Sequence, residues 1–96
     1  MYVESGRIQD TESERTKSAL RRIVETYRMP TRMTAQQNIL LCDIESSQRE
    51  DIDRILADHG VVGADQRSRI RRLSMACPAL PTCGLSITES ERVMPE

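Results

Sequence analysis

Aromatic side chains are nearly absent from this sequence: it has no Trp or Phe, and only Tyr2 and Tyr27 carry rings. Aromatics bury the most area per side chain, so the core must come from Leu, Ile, Val and Met and is thin for 96 residues. Such a chain is at most one small domain, or a piece of a larger one that docks on further structure. No apolar run reaches the roughly 18 residues of a membrane-spanning helix. The start, Met1-Tyr2-Val3-Glu4-Ser5-Gly6, lacks the basic-then-apolar pattern of a signal peptide. Lysine is scarce as well, since thirteen of the fourteen basic residues are Arg. The net charge is −1 and there are few rings for stacking bases, which argues against nucleic acid as a partner. Three cysteines without an export signal point to a reducing, cytoplasmic setting.

What is there reads as an α+β unit. Tyr2 to Ile8 has the look of a strand tail closing in a turn at Gly6, and it starts abruptly. Asp10, Thr11, Ser13 and Thr16 are all candidate helix N-caps. Leu20, Ile23, Val24 and Tyr27 then fall at i, i+3, i+4 and i+7, the single stripe of an amphipathic helix that Pro30 stops. Asn38 to Ile44 is nearly continuous in apolar character and predicts a central, buried strand. Ser47 and Glu50 are spaced as a capping box, Ile52, Ile55 and Leu56 give the next helix its face, and Gly60 closes it. His59 is placed to interact with that helix C-terminus. The first 62 residues thus run strand, helix, strand, helix. Gly63 to Arg72 reads as an extended connection, and Thr88-Glu89-Ser90-Glu91 as a second capping box with little chain after it.

The chemistry-bearing stretch is Ser74-Met75-Ala76-Cys77-Pro78-Ala79-Leu80-Pro81-Thr82-Cys83. Two cysteines in a Pro-rich apolar loop suit an iron–sulfur cluster, whose usual ligands are thiolates within an apolar shell. Two such cysteines are also commonly just buried thiols, which behave as small hydrophobes. Cys42 reads that way on its strand. Joined with Cys42 and His59 the pair would make a Cys3His zinc set, but the separations match no close-pair zinc pattern. The arginines from Arg67 to Arg72 read either as a solvated connector or as forks for carboxylates.

Three segments, Arg32-Met33-Thr34-Ala35-Gln36-Gln37-Asn38, the cysteine loop, and Glu89-Ser90-Glu91-Arg92-Val93-Met94-Pro95, resemble the assimilatory sulfite reductase haemoproteins, the ferredoxin-dependent branch above all. Ser5-Gly6-Arg7-Ile8 and Ala19-Leu20-Arg21-Arg22-Ile23 fall in the same order, so the resemblance covers almost the whole chain. It implies a ferredoxin-like nitrite/sulfite reductase half-domain over residues 1–66, followed over 67–96 by the start of the siroheme and [4Fe-4S] domain. It implies that Cys77 and Cys83 are the first two cluster ligands. The other two come, in that family, from a Cys-x3-Cys motif that this sequence does not contain. Arg32, Thr34, Gln37, Asn38 and Arg71 lie on segments resembling the siroheme-lining ones, whereas Gln36 departs from the Asn more usual there. The related nitrite reductases carry Thr-Gly after the first cysteine; Pro78-Ala79 stands here, which favours sulfite. The implied reaction is the six-electron reduction of sulfite to sulfide, with ferredoxin as donor and the remainder of the reductase chain as partner. An isolated segment with half the ligand set is expected to be inactive. The alternative is a non-catalytic α+β interaction module or remnant.

Overall fold

The computed structural model describes residues 1–95. Its α+β frame consists of two helices and a short antiparallel hairpin, with a third short helix leading into the cysteine loop. Helix α1 spans Thr16–Tyr27, strand β1 Thr31–Met33, strand β2 Ile39–Leu41, helix α2 Ser46–Asp58 and helix α3 Arg69–Leu73. The hairpin pairs Thr31 with Leu41, Arg32 with Leu40 and Met33 with Ile39.

Helix α1 starts without a side-chain cap from its own N-cap residue, Arg15. Asp10 does that work from eight residues away. Its carboxylate accepts from the Ser18 backbone N–H at 3.0 Å and from the Ser18 hydroxyl at 2.7 Å. These hydrogen bonds, the hydroxyl's first, hold the Asp10 carboxyl below the usual carboxylate range. The folded-state value is depressed, so this contribution is present at neutral pH and is lost as pH falls through the folded value. Acid titration followed by amide exchange should therefore show the first turn of α1 losing protection before the rest, and Asp10→Asn should remove that pH dependence.

Of the α1 stripe, Ile23 is the fully buried residue, while Leu20, Val24 and Tyr27 are half-buried. Thr16 and Ala19 complete the inward face, which is turned slightly toward the small residues. The helix stops at Tyr27, where Arg28 takes a left-handed conformation with φ 49° and its N–H returns to the Val24 carbonyl at 2.8 Å. Pro30 follows two residues later, a common place for proline beyond a helix end. Ile23 packs with Met29, Ile52 and Ile55, flanked by Tyr27, Leu41 and Leu56. The Tyr27 hydroxyl donates to Asp51 and ties the two helices at their rim.

Three elements differ from the sequence reading. The strand predicted over 38–44 is shorter and is not central: Ile39 is buried, Leu40 is 52% exposed, and Asp43 at φ 55° ends the extended run. A continuous apolar run does not distinguish a strand covered on both faces from one with an open face. No strand forms over Tyr2 to Ile8 either. Met1 exchanges backbone hydrogen bonds with Ile39 at 2.7 and 3.1 Å, alongside β2. Ser5 and Gly6, both at positive φ, then turn the chain away. Lastly, residues 63–72 are not extended. A 3-10 turn at Ala64–Gln66 precedes α3, whose N-cap Ser68 accepts from the Arg71 N–H at 3.2 Å. The C-terminal capping-box signature leads only to a turn, in which the Val93 and Met94 N–H groups return to the Ser90 carbonyl.

Helix α2 begins one turn-fraction earlier than Ser47 implies. Glu45 is the N-cap, and Gln48 reaches back to accept from its N–H at 3.2 Å, so the box runs from Glu45 to Gln48. Its end follows the sequence. Gly60 at φ 72° donates to the Ala57 carbonyl and Val61 donates to the Leu56 carbonyl, both at 2.9 Å, which is a Schellman motif. His59 Nδ1 lies 2.7 Å from the Ile55 carbonyl in the last turn. The loop before α1 presses on the same spot: Arg15 N–H donates to the His59 carbonyl at 2.8 Å, and a Cβ on residue 60 would lie 2.3 Å from the Ser13 carbonyl oxygen. Gly60→Ala should thus cost about 1–3 kcal/mol, read as a lowered melting temperature of the chain, whereas Gly84→Ala, which meets nothing, should leave it unchanged.

Candidate functional site

The cysteine loop leaves α3 at Ser74 and is anchored at two buried alanines, Ala76 and Ala79. Ala76 is held by Gln37: the side-chain amide donates to the Ala76 carbonyl at 2.9 Å and accepts from its N–H at 3.2 Å. Ala79 sits at φ 50°, and its carbonyl accepts from the Cys83 N–H at 2.7 Å. Between and after these anchors Cys77 is exposed and Cys83 half-buried, both as free thiols. Cys42 is half-buried just beyond β2. Among the described residues no three His, Cys, Asp or Glu side chains gather as a metal site.

The hairpin loop is built by Thr34 and Asn38. The Thr34 N–H donates to the Asn38 carbonyl at 2.9 Å, its hydroxyl accepts from the Asn38 N–H at 3.1 Å, and Gln37 takes the left-handed position at φ 59°. The Asn38 side chain accepts from the Val3 N–H at 2.9 Å and so secures the N-terminal segment. Thr34 and Asn38 share an open cavity of about 420 Å³ with Gln36, Arg69 and Arg72. Gln37 stands instead against the cysteine loop. Arg32 is exposed on β1 across from Leu40.

Arg71 lies elsewhere, in a cavity of about 580 Å³ with Arg7, Arg67, Arg92, Glu4, Glu14 and Glu91. The charges there are largely paired. Arg71 donates to Glu4 at 2.7 Å, Arg67 to both Glu14 oxygens at 2.8 and 3.0 Å, and Arg7 to Glu91. The hydrogen bond from Arg7 holds the Glu91 carboxyl below its ordinary range. Arg67 also lies over the Tyr2 ring, 4.6 Å from its centre, with 11% of its side chain exposed. It is thus no part of a solvated connector. The structure accordingly brings Thr34 and Asn38 together, joins Gln37 to the loop that carries Cys77, and places Arg71 in the cavity with Glu4, leaving Arg32 exposed on β1. Arg69 and Arg72, beside Thr34 and Asn38, stand out in the sequence only as members of an arginine cluster.

The frame is two helices around a short hairpin, with the cysteine loop clamped to the hairpin through Gln37. Residues 2–59 match the family described as the nitrite/sulfite reductase ferredoxin-like half domain, and the chain belongs to that family. Its relatives are named as sulfite reductases. The chain is 45% identical over 93 residues to the sulfite reductase (ferredoxin) of Synechococcus elongatus, covering 97% of this chain and 15% of that protein. It is 46% identical over 98 residues to the sulfite reductase (NADPH) hemoprotein beta-component of a Methylobacterium species, covering 100% and 16%. With the corresponding protein of Staphylococcus saprophyticus it shares 39% over 95 residues, 99% and 17%. The chain thus spans about a sixth of the length of these curated relatives. Both donor types occur among them, the ferredoxin type at 45% and the NADPH type at 46% and 39% identity. No helix among the described residues is long and apolar enough to cross a membrane.

Proposed function

We propose that this chain is a segment of a sulfite reductase, contributing two of four cluster thiolates and part of a siroheme wall. The observation that carries this reading is the state of the cysteine pair. Cys77 and Cys83 are free and sit on one short loop whose backbone is tied down on both sides of Cys77. Cluster ligands are thiolates that the fold must hold in place. The residues present fit a [4Fe-4S] cluster as half of its ligand set.

Siroheme is rich in carboxylates, and its pocket needs Arg forks and amide or hydroxyl donors. By the resemblance Thr34, Asn38, Arg32 and Arg71 would serve it, Arg71 having to exchange its Glu4 partner to do so, and Arg69 and Arg72 beside Thr34 add two further forks. Gln37 has one amide N–H left after its two bonds to Ala76. When bound, cluster and siroheme supply the electron path for the six-electron reduction of sulfite to sulfide. The residues of this chain bind and orient those groups, with residues 1–66 as the half-domain and 67–96 as the opening of the cofactor domain. Pro78-Ala79 after the first cysteine supports sulfite over nitrite, and ferredoxin is proposed as the donor from the resemblance of the three sequence segments to the ferredoxin-dependent branch.

The test is turnover by the complete protein carrying this segment, purified under argon and supplied with reduced ferredoxin. Sulfide release from sulfite at a kcat/KM well above that for nitrite is the expected result. Turnover only with an NADPH-linked flavoprotein would replace the donor, preference for nitrite would replace the substrate, and no turnover with either would favour a non-catalytic module.

A further inference from the structure

We propose that Gln37 is a positioning residue for the first cluster cysteine, gripping the backbone of Ala76 and so setting where Cys77 stands. This rests on the reading of Cys77 as a cluster ligand. Ala76 is 5% exposed, so its N–H and C=O have no ready access to water. Both are satisfied by one side chain, 39 residues distant in sequence, in an arrangement that copies a β-bridge. Without Gln37 two buried backbone groups adjacent to Cys77 lose their partners.

Gln37 is itself held on two sides. It occupies the left-handed position of a three-residue hairpin loop, where Gly or Asn is the usual choice. Neither of these reaches as far as Gln. Gly6, at φ 71°, passes so close that a Cβ there would lie 3.1 Å from the Gln37 Cβ. The N-terminal turn thus backs the Gln37 stem while its amide faces Ala76. The grip is rigid at its base, which is what positioning a ligand requires.

Cluster potentials respond to solvent exposure and to the hydrogen bonds around the sulfurs. A loosened Cys77 segment admits water, and water favours the more highly charged reduced cluster. The experiment uses the complete reductase with Gln37→Met, which keeps the length and loses both bonds, and Gln37→Glu, which keeps the acceptor for the Ala76 N–H. Iron content, the cluster EPR spectrum and the midpoint potential are measured for each, with circular dichroism as the check on folding. For a folded, iron-loaded Met variant the expected result is an altered EPR spectrum and an upward shift equivalent to about a tenfold change in the reduced-to-oxidised ratio, ~59 mV for one electron. The Glu variant should lie between it and wild type. Iron loss from a folded Met variant, with iron kept in the Glu variant, supports the proposal equally. A wild-type spectrum and potential in an iron-loaded Met variant would overturn it, as would misfolding of both variants, which would make the residue purely structural. Absence of any cluster from the wild-type reductase would instead sink the ligand reading and this proposal with it.

Discussion

Ile23→Ala is expected to cost about 2–5 kcal/mol and to lower the melting temperature of the chain by roughly 8–40 °C. Ile23 is 0% exposed and is the largest fully buried side chain. Its partners are few: Met29, Ile52 and Ile55, with Tyr27, Leu41 and Leu56 at the edge. A chain of this size is stable by roughly 5–15 kcal/mol at most, and each kcal/mol lost moves the midpoint by about 4–8 °C. A thin core also has few neighbours able to close over the vacated volume. Val24→Ala, one position along on a half-buried side chain, should cost roughly 1 kcal/mol or less. Equal effects at the two positions would mean that the helix packs on a different face.

On the proposed reading, Cys77→Ser in the complete protein is expected to leave the fold intact and to abolish the [4Fe-4S] cluster, with Cys83→Ser doing the same. The contrast with structure is what makes this informative. Within this segment Cys77 is exposed and Cys83 half-buried, so a hydroxyl in place of the thiol disturbs little of its own packing. A cluster needs all four ligands as thiolates, and serine is a poor substitute. Cys42→Ser, away from the loop, should retain the iron. Measured iron and labile sulfide per chain distinguish the three variants, and unchanged iron in Cys77→Ser would remove that residue from the ligand set.

Local signals in the sequence proved sufficient for helices α1 and α2. Ile23, Ile52 and Ile55 are buried because the 3.6-residue period dictates which face turns inward. Gly60 closes α2 because a left-handed residue is needed at that point and glycine takes it without strain. The strands were harder to read. Thr31-Arg32-Met33 is exposed throughout and has no alternation to betray it, while the apolar run around Ile39 overstates its burial. The N-cap of α2 lies at Glu45 because Gln48, three residues on, supplies the reciprocal bond before Ser47 can. Helix α3 is five residues long, too short for a periodic pattern, and only Ser68 marks it.

The site was legible where chemistry is local and hidden where contacts are distant. Cys77 and Cys83 are visible as a motif, and the word between them marks the loop. The grip of Gln37 on Ala76 and the ion pair from Arg67 to Glu14 join residues 39 and 53 positions apart, and no spacing rule reaches that far. Arg67 therefore reads in sequence as one member of a charged connector, yet in the fold it covers Tyr2. Thr34 and Asn38 also serve the hairpin loop itself, so their place in the sequence reflects the turn as well as any cofactor.

The most direct test of the central claim is the metal content of the complete wild-type protein, purified without oxygen. Iron and labile sulfide in the proportions of one [4Fe-4S] cluster plus one siroheme, with the visible absorption of siroheme, is the result predicted here. A protein that carries neither iron nor siroheme under those conditions, or that carries zinc at its cysteines, would contradict it.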